Sequence, residues 1–324
     1  MTGASSRGLA ASMLSVGQDR SLPIEIETSG IIKLLTFSAN GRYLVGGTSD
    51  GHVQVWRVKD GKLVATLPER VVGLRCLAVS KDDKWIVTAG QSAVTIVWDA
   101  RTYERVFRYH KEDILGIDFS PDSTRFVGAS WEGAIVLNLP NCEQVQTLEH
   151  TGSYAEEAKY SPRGDRIATV SREAVRIWDS NGDARLLVEI AVEAASSSRW
   201  DNNDLIWFDD HLFVTSGSTI KQFDASTGSA ISEWTVPNTD RYSWIALSHR
   251  GAFIAHATDQ TVSLWDTPTH SQLVVNNYAD KIHSVALSPH DEFLAISQGK
   301  KISIKSLPRI IVGTVSSGCG LRRI

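Results

Sequence analysis

Apolar and polar positions alternate along this chain in short runs. Segments such as HVQVW (52–56), VRIW (175–178) and TVSLW (261–265) alternate at period two and end in tryptophan. That period puts every second side chain on one face of a β-strand. A shorter apolar run precedes each one: YLVGG at 43–47, ATV at 168–170, FIAHA at 253–257. The two are joined by a few turn residues. Upstream of each pair, runs such as LLTF, GIDF and VAL lead into a serine followed by Ala-Asn-Gly, Pro-Asp-Ser or Pro-His-Asp. Proline presets φ, Asn and Asp close side-chain turns, and glycine accepts positive φ, so these are turn signals. The pattern predicts strand, turn, strand, tight turn, strand, again and again.

Laid under one another, the units are 34–56, 76–98, 116–138, 157–179, 245–266 and 285–306, with a blurred one at 205–224. Their turn serines are Ser38, Ser80, Ser120, Ser161, Ser248 and Ser288. The spacing is close to forty residues, with one double gap that houses the blurred unit. Trp56, Trp98, Trp178, Phe223 and Trp265 close five units, and Asn138 and Lys305 are read at the same place in the other two. A fourth strand, such as KLVATL or RLLVEI, follows each. A period of about 40–45 residues is that of a four-stranded propeller blade. One such sheet cannot hide both faces alone, and radial stacking solves this. The expected fold is all-β: a single seven-bladed propeller of four-stranded antiparallel blades over 21–308. Residues 1–20 are expected to be a disordered tail and 309–324 a loose one. LPIEIET (22–28) is expected to complete the last blade, with RIIVGTV (309–315) as the competing segment.

These repeats resemble the WD40-repeat β-propeller family. The resemblance rests on Trp98-Asp99, Trp178-Asp179, Trp265-Asp266, FSPD at 119–122 and SDG at 49–51, and spans about 22–307. The wording of LAVSKDDKWIV and KYSPRGDRIATV is similar to propellers common in fungal proteins. The resemblance implies a hydrogen-bonded set in each blade: His before the first strand, Ser or Thr in the second, Asp in the next turn, Trp in the third. The matching residues are Thr48, Asp50 and Trp56 in unit one, His110, Ser130 and Glu132 in unit three, His150, Ser171, Glu173 and Trp178 in unit four, and Asp259 and Trp265 in unit six. The set is incomplete in every unit, since Thr28 stands where unit one needs its His.

GTSDG (47–51) fits the G-x-S-x-G spacing of a nucleophile elbow, which would make Ser49 reactive. An elbow passes from a strand into a helix. Here the following residues alternate at period two, and Asp50-Gly51 is a hairpin-turn pair. Ser49 is therefore read as a turn residue. Neither a P-loop, nor H-E-x-x-H, nor G-x-G-x-x-G occurs. Glu156-Glu157 and Asp209-Asp210 are adjacent acids and do not aim at one point. No catalytic residue, cofactor or metal is expected.

Composition narrows the class. The chain has 324 residues, 42% hydrophobic, and a net charge of −4, a balance that does not suit a nucleic-acid binder. Cysteines 76, 142 and 319 show no metal or disulfide spacing. No apolar stretch is long enough to span a membrane. The expected setting is cytoplasmic, with nuclear and, through the acid-poor first eighteen residues, mitochondrial alternatives.

What remains is surface. Trp131 sits in the SWEG turn, Trp244 early in an innermost strand. Arg75, Lys33, Glu156 and His283 share the position where innermost strands begin, around the channel mouth. Local packing competes with partner binding at the two tryptophans, and simple solvation does so at Arg75. Residues 191–204 read as a longer loop. The function expected is a non-catalytic scaffold, monomeric as an isolated domain, that presents its faces to a protein or peptide. The alternatives are a ligand-sensing module of a larger fungal complex, and a hydrolase using the GTSDG turn or carboxylates at the channel mouth.

Overall fold

A computed structural model describes residues 23–307 apart from 92, 151–152, 193–203, 217–218, 236–243, 249–250, 252, 268 and 270. Both expected tails, the competing segment 309–315 and most of the 191–204 loop lie outside the described residues.

Seven four-stranded antiparallel sheets are present among the described residues, each with its strands in chain order, save the last. Their innermost strands are Ile32–Phe37, Cys76–Val79, Ile114–Phe119, Glu157–Tyr160, Leu205–Phe208, Trp244–Leu247 and Ile282–Leu287. They define blades one to seven. Blade seven takes its outer strand from the other end of the chain. Ile24–Glu27 pairs with Lys301–Ser306 in the register Ile24↔Ile304 to Glu27↔Lys301. The N-terminal segment thus closes the ring, and Ile26 joins the core between blades seven and one.

The apolar residues gather in seven clusters, each straddling two neighbouring blades. Val45, Val53 and Val55 of blade one pack with Ile86, Ile96 and Trp98 of blade two. Phe213 and Ile220 of blade five pack with Ile254 and Trp265 of blade six. Each sheet is apolar on both faces because each face is an interface, which explains the continuous burial of second strands such as Trp85–Gly90 and Phe253–Ala257.

The repeated serines have a physical reason. All six are buried. Each hydroxyl accepts the backbone N–H five residues on: Tyr43, Trp85, Arg125, Arg166, Phe253 and Phe293, at 2.9–3.0 Å. In four blades it also donates to the turn's Asn or Asp, as from Ser80 to Asp82 at 2.7 Å. The turn is pinned to the strand that leaves it. Turns are also stitched between blades: both Asp83 carboxylate oxygens accept from the backbone of Ala39 and Asn40.

GTSDG joins the strand Tyr43–Thr48 to the strand Val53–Arg57, and no helix follows. Both of its glycines answer to packing. Gly51 has φ +91°, and a Cβ there would strike the Val71 carbonyl; a Cβ at Gly47 would strike the Leu74 side chain. The Gly-x-Ser-x-Gly spacing is a product of hairpin geometry and blade contact.

Candidate interaction face

The seven innermost strands enclose an axial channel. At the end carrying the first-to-second-strand turns it widens to a cavity of about 890 Å³, with Phe37, Asp118, Lys159, Asp204 and Trp207 among its walls. Three carboxylates and one ammonium meet on this axis. Lys159 Nζ lies 3.2 Å from Glu157 Oε1, and both side chains keep partial access to the channel. Asp118 accepts the Tyr160 backbone N–H at 2.9 Å, and Asp204 accepts those of Leu205 and Ile245. Two of the three channel carboxylates are therefore committed to holding strands together across blades. Burial raises the Glu157 pKa to about 7, and Lys159 opposes the rise. Burial pulls on Lys159 too, but the surrounding carboxylates outweigh it and hold the ammonium above its ordinary pKa. Sequence reasoning missed this group, because its residues come from three blades and fit no local spacing.

The expected blade networks form in a different register. In blade four, Trp178 Nε1–H donates to Thr169 Oγ1 at 2.8 Å, and His150 Nε2 lies 2.8 Å from the same oxygen. Arg176 Nη1 is 3.1 Å from His150 Nδ1. A guanidinium only donates, so Nδ1 accepts and the proton sits on Nε2, which donates to Thr169. The imidazole is neutral: burial, then Arg176, lowers its pKa to about 4. Ser171, assigned this role in the sequence, instead bonds to the backbone of its own turn at Ala174. Blade two repeats the arrangement, with Trp98 Nε1–H on Thr88 Oγ1 at 2.9 Å.

Elsewhere the network is absent or altered. In blade one the position of Thr88 is Gly46, and a Cβ there would lie 2.7 Å from Trp56 Cζ3. Trp56 covers a glycine, while Thr48 serves the turn by donating to Asp50. In blade three, His110 is exposed, Ser130 bonds within its turn, and Glu132 is exposed. There the residue facing Phe126, as Trp98 faces Ile86, is Leu137; Asn138 corresponds to Asp99. The correction has a cause. The hairpin turn Trp131-Glu132 has two residues where Ser49–Gly51 has three, and this shifts the count by one. In blade six, His256 holds the threonine position, Trp265 Nε1 has no partner among the described residues, and Asp259 pairs with Lys281 at 2.7 Å.

The face opposite the cavity carries the second-to-third-strand turns and the channel mouth. Trp131 is 53% exposed there and packs on Tyr154, ring centroids 4.9 Å apart. By contrast Trp56, Trp98, Trp178 and Trp265 are all buried. Trp244 begins its innermost strand, and its side chain lies outside what the structure describes. Lys33 and His283 come together across blades one and seven, Nζ to Nδ1 at 3.1 Å. Glu156 stands across the mouth on blade four, 3.9 Å from Arg172. Arg75 holds the blade-two position, its backbone N–H on Ala89.

A family model for the WD domain, G-beta repeat, matches residues 26–57, 61–99 and 101–137. The chain carries WD40 repeats. Among relatives of this WD40 propeller, the F-box-like/WD repeat-containing protein TBL1X of Homo sapiens is 27% identical over 143 residues, 43% of this chain and 24% of that protein. Protein HIR1 of Candida albicans is 28% identical over 176 residues, 43% of this chain and 19% of that protein. Protein HIR1 of Gibberella zeae is 24% identical over 295 residues, 76% of this chain and 25% of that protein. The chain spans a quarter or less of the length of these relatives. The crystal structure of the beta-propeller domain of Cps50 (Swd1) from Myceliophteria thermophila superposes with a TM-score of 0.75 at 17% identity, covering 89% of this chain and 99% of that one. That likeness concerns the fold. WD40 propellers are typically protein-interaction scaffolds.

Proposed function

We propose that this WD40 propeller is a non-catalytic scaffold that docks a protein or peptide on the face carrying the channel mouth, with Trp131 as the anchor. The observation that carries this reading is the exposed Trp131, packed on the half-buried Tyr154. A large aromatic left in solvent adds little to folding, whereas Trp and Tyr supply much of the energy at protein interfaces. The pair sits on loops held by two rigid blades, the setting in which binding residues usually stand. The isolated domain is read as a monomer in the cytoplasm or nucleus. Its relatives' greater length supports a place in a larger protein or complex. No helix among the described residues is long and apolar enough to cross a membrane.

The test is affinity purification from cell extract with wild type and with Trp131→Ala. The variant is expected to fold with unchanged unfolding behaviour and to lose the proteins that wild type retains. Equal recovery by both would overturn the choice of anchor and face.

A further inference from the structure

The channel mouth is asymmetric in composition. In blades one, three and seven the pairing of the first two strands breaks at the same place. The register shifts between Ile32 and Leu34, between Ile114 and Gly116, and between Ile282 and Ser284. The extra residues in these bulges are Lys33, Leu115 and His283. Bulges commonly re-aim a side chain near a functional site. Here two of them, on adjacent blades, bring Lys33 Nζ to 3.1 Å from His283 Nδ1. Lysine only donates, so the neutral imidazole accepts through Nδ1.

Charged groups around this pair are mostly of one sign. Lys281, two residues before His283, faces it on its own blade, and Asp259 of blade six pairs with Lys281 at 2.7 Å. Arg75 follows at the mouth position of blade two. Among the described residues neither Lys33 nor Arg75 takes part in an ion pair. Three cations and an imidazole are thus set against one carboxylate. The acid of the mouth, Glu156, stands on blade four.

We propose that Lys33, Lys281 and Arg75, over His283, form a site for a single oxyanion, a carboxylate or phosphate group carried by the docking partner. In its biological use this rests on the scaffold reading above, because it names the chemistry that the same face would recognise. The arc is confined to three blades, and the next charged mouth position, on blade four, is the acid Glu156. A continuous polyanion would run from the cations onto that acid, so a lone anionic group on a peptide fits and a nucleic-acid backbone does not. His283 couples the site to protons. Burial, then Lys33 and Lys281, lowers its pKa, with Asp259 opposing. An anion on the ammonium groups offsets the repulsion that keeps the imidazole neutral. Binding therefore draws a proton onto His283, and a lower pH tightens binding.

The experiment follows the His283 ring proton by NMR between pH 5 and 8, on the full chain at constant ionic strength, in chloride, inorganic phosphate and acetate. Saturating phosphate is expected to raise the His283 midpoint by about one unit, the equivalent of tenfold tighter binding to the imidazolium form. A matching rise in acetate assigns the site to carboxylates as well, and a rise in phosphate alone assigns it to phosphorylated groups. Lys33→Ala, at an exposed position, should raise the midpoint in chloride and erase the phosphate response; Arg75→Ala should weaken that response without moving the midpoint in chloride. Superimposable titrations of wild type in chloride and phosphate would overturn the site. The readout needs no partner. A phosphate response alongside equal partner recovery by Trp131→Ala would keep the site and overturn the docking reading; the reverse pair of results would do the opposite.

Discussion

Thr169→Val tests whether the buried network of blade four, in the register found here, holds the blade. The substitution keeps the side chain's shape and removes the hydroxyl. Two buried donors then lose their acceptor, Trp178 Nε1–H and His150 Nε2–H, both at 2.8 Å. Thr169 is fully buried and His150 nearly so. Each buried donor left unsatisfied costs about 1–3 kcal/mol, so the pair should cost roughly 2–5 kcal/mol. At about 2–4 °C per kcal/mol in a domain of this size, Tm should fall by roughly 5–15 °C. Ser171→Ala is the control, since that hydroxyl serves its own turn and should cost only about 1 kcal/mol. Urea unfolding followed by tryptophan fluorescence reads both. The reasoning fails if Thr169→Val lies within about 0.5 kcal/mol of wild type, or if Ser171→Ala costs as much. In a Trp178→Phe background one donor is already gone, and Thr169→Val should cost correspondingly less.

His150 is held neutral with its pKa lowered to about 4, so between that value and about 6.5 the unfolded chain takes up a proton that the folded one refuses, and this contribution to stability is lost as pH falls. His150→Phe should be less stable than wild type at pH 7, and urea midpoints should show that deficit shrinking toward pH 4; a constant deficit would contradict the assignment. Ile26→Ala removes a core side chain of the closing strand and should cost about 2–4 kcal/mol, with faster amide exchange at 301–304; unchanged exchange there would mean that the ring does not depend on this strand. Gly51→Ala should destabilise by more than about 1 kcal/mol, since φ +91° and the Val71 carbonyl both oppose a side chain, while Ser49→Ala should stay within about 0.5 kcal/mol; thermal melts of the two separate turn geometry from any special role of the serine.

The period was legible because one element of each blade tolerates little change. The turn serine is buried and bonded to a backbone N–H five residues on, so its neighbours' spacing repeats wherever the turn does. The closing strand was legible because IEIE alternates at period two and one blade lacked its fourth strand. The blade network was read two residues out of place for a definable reason. Thr169 and Ser171 stand at i and i+2 on one strand and its exit, and such positions share a face. Composition cannot tell which hydroxyl reaches the tryptophan; only the depth of Trp178 along the strand does. Asn138 was misplaced because a turn one residue shorter inverts the alternation that follows. The Asp118–Lys159–Asp204 group was invisible because its members meet only after three blades are set around an axis.

The mouth residues show why a repeat fold can specialise without losing its ring. Blade stability comes from the interface clusters, the turn serines and the threonine–tryptophan bonds, none of which involves the position just before each innermost strand turns inward. That position is occupied by Lys33, Arg75, Leu115, Glu156 and His283 in five blades. No side-chain property is common to them, whereas the buried serines recur almost unchanged. A position relieved of packing duty can take any charge. The bulged backbone recurs in blades one, three and seven; what distinguishes blades seven and one is that they are adjacent, so their bulges bring His283 and Lys33 together. The result is a 3.1 Å contact between two groups that repel when both are charged. Such a contact is relieved by an anion, and the scaffold supplies it at the point where a docked segment would meet the channel.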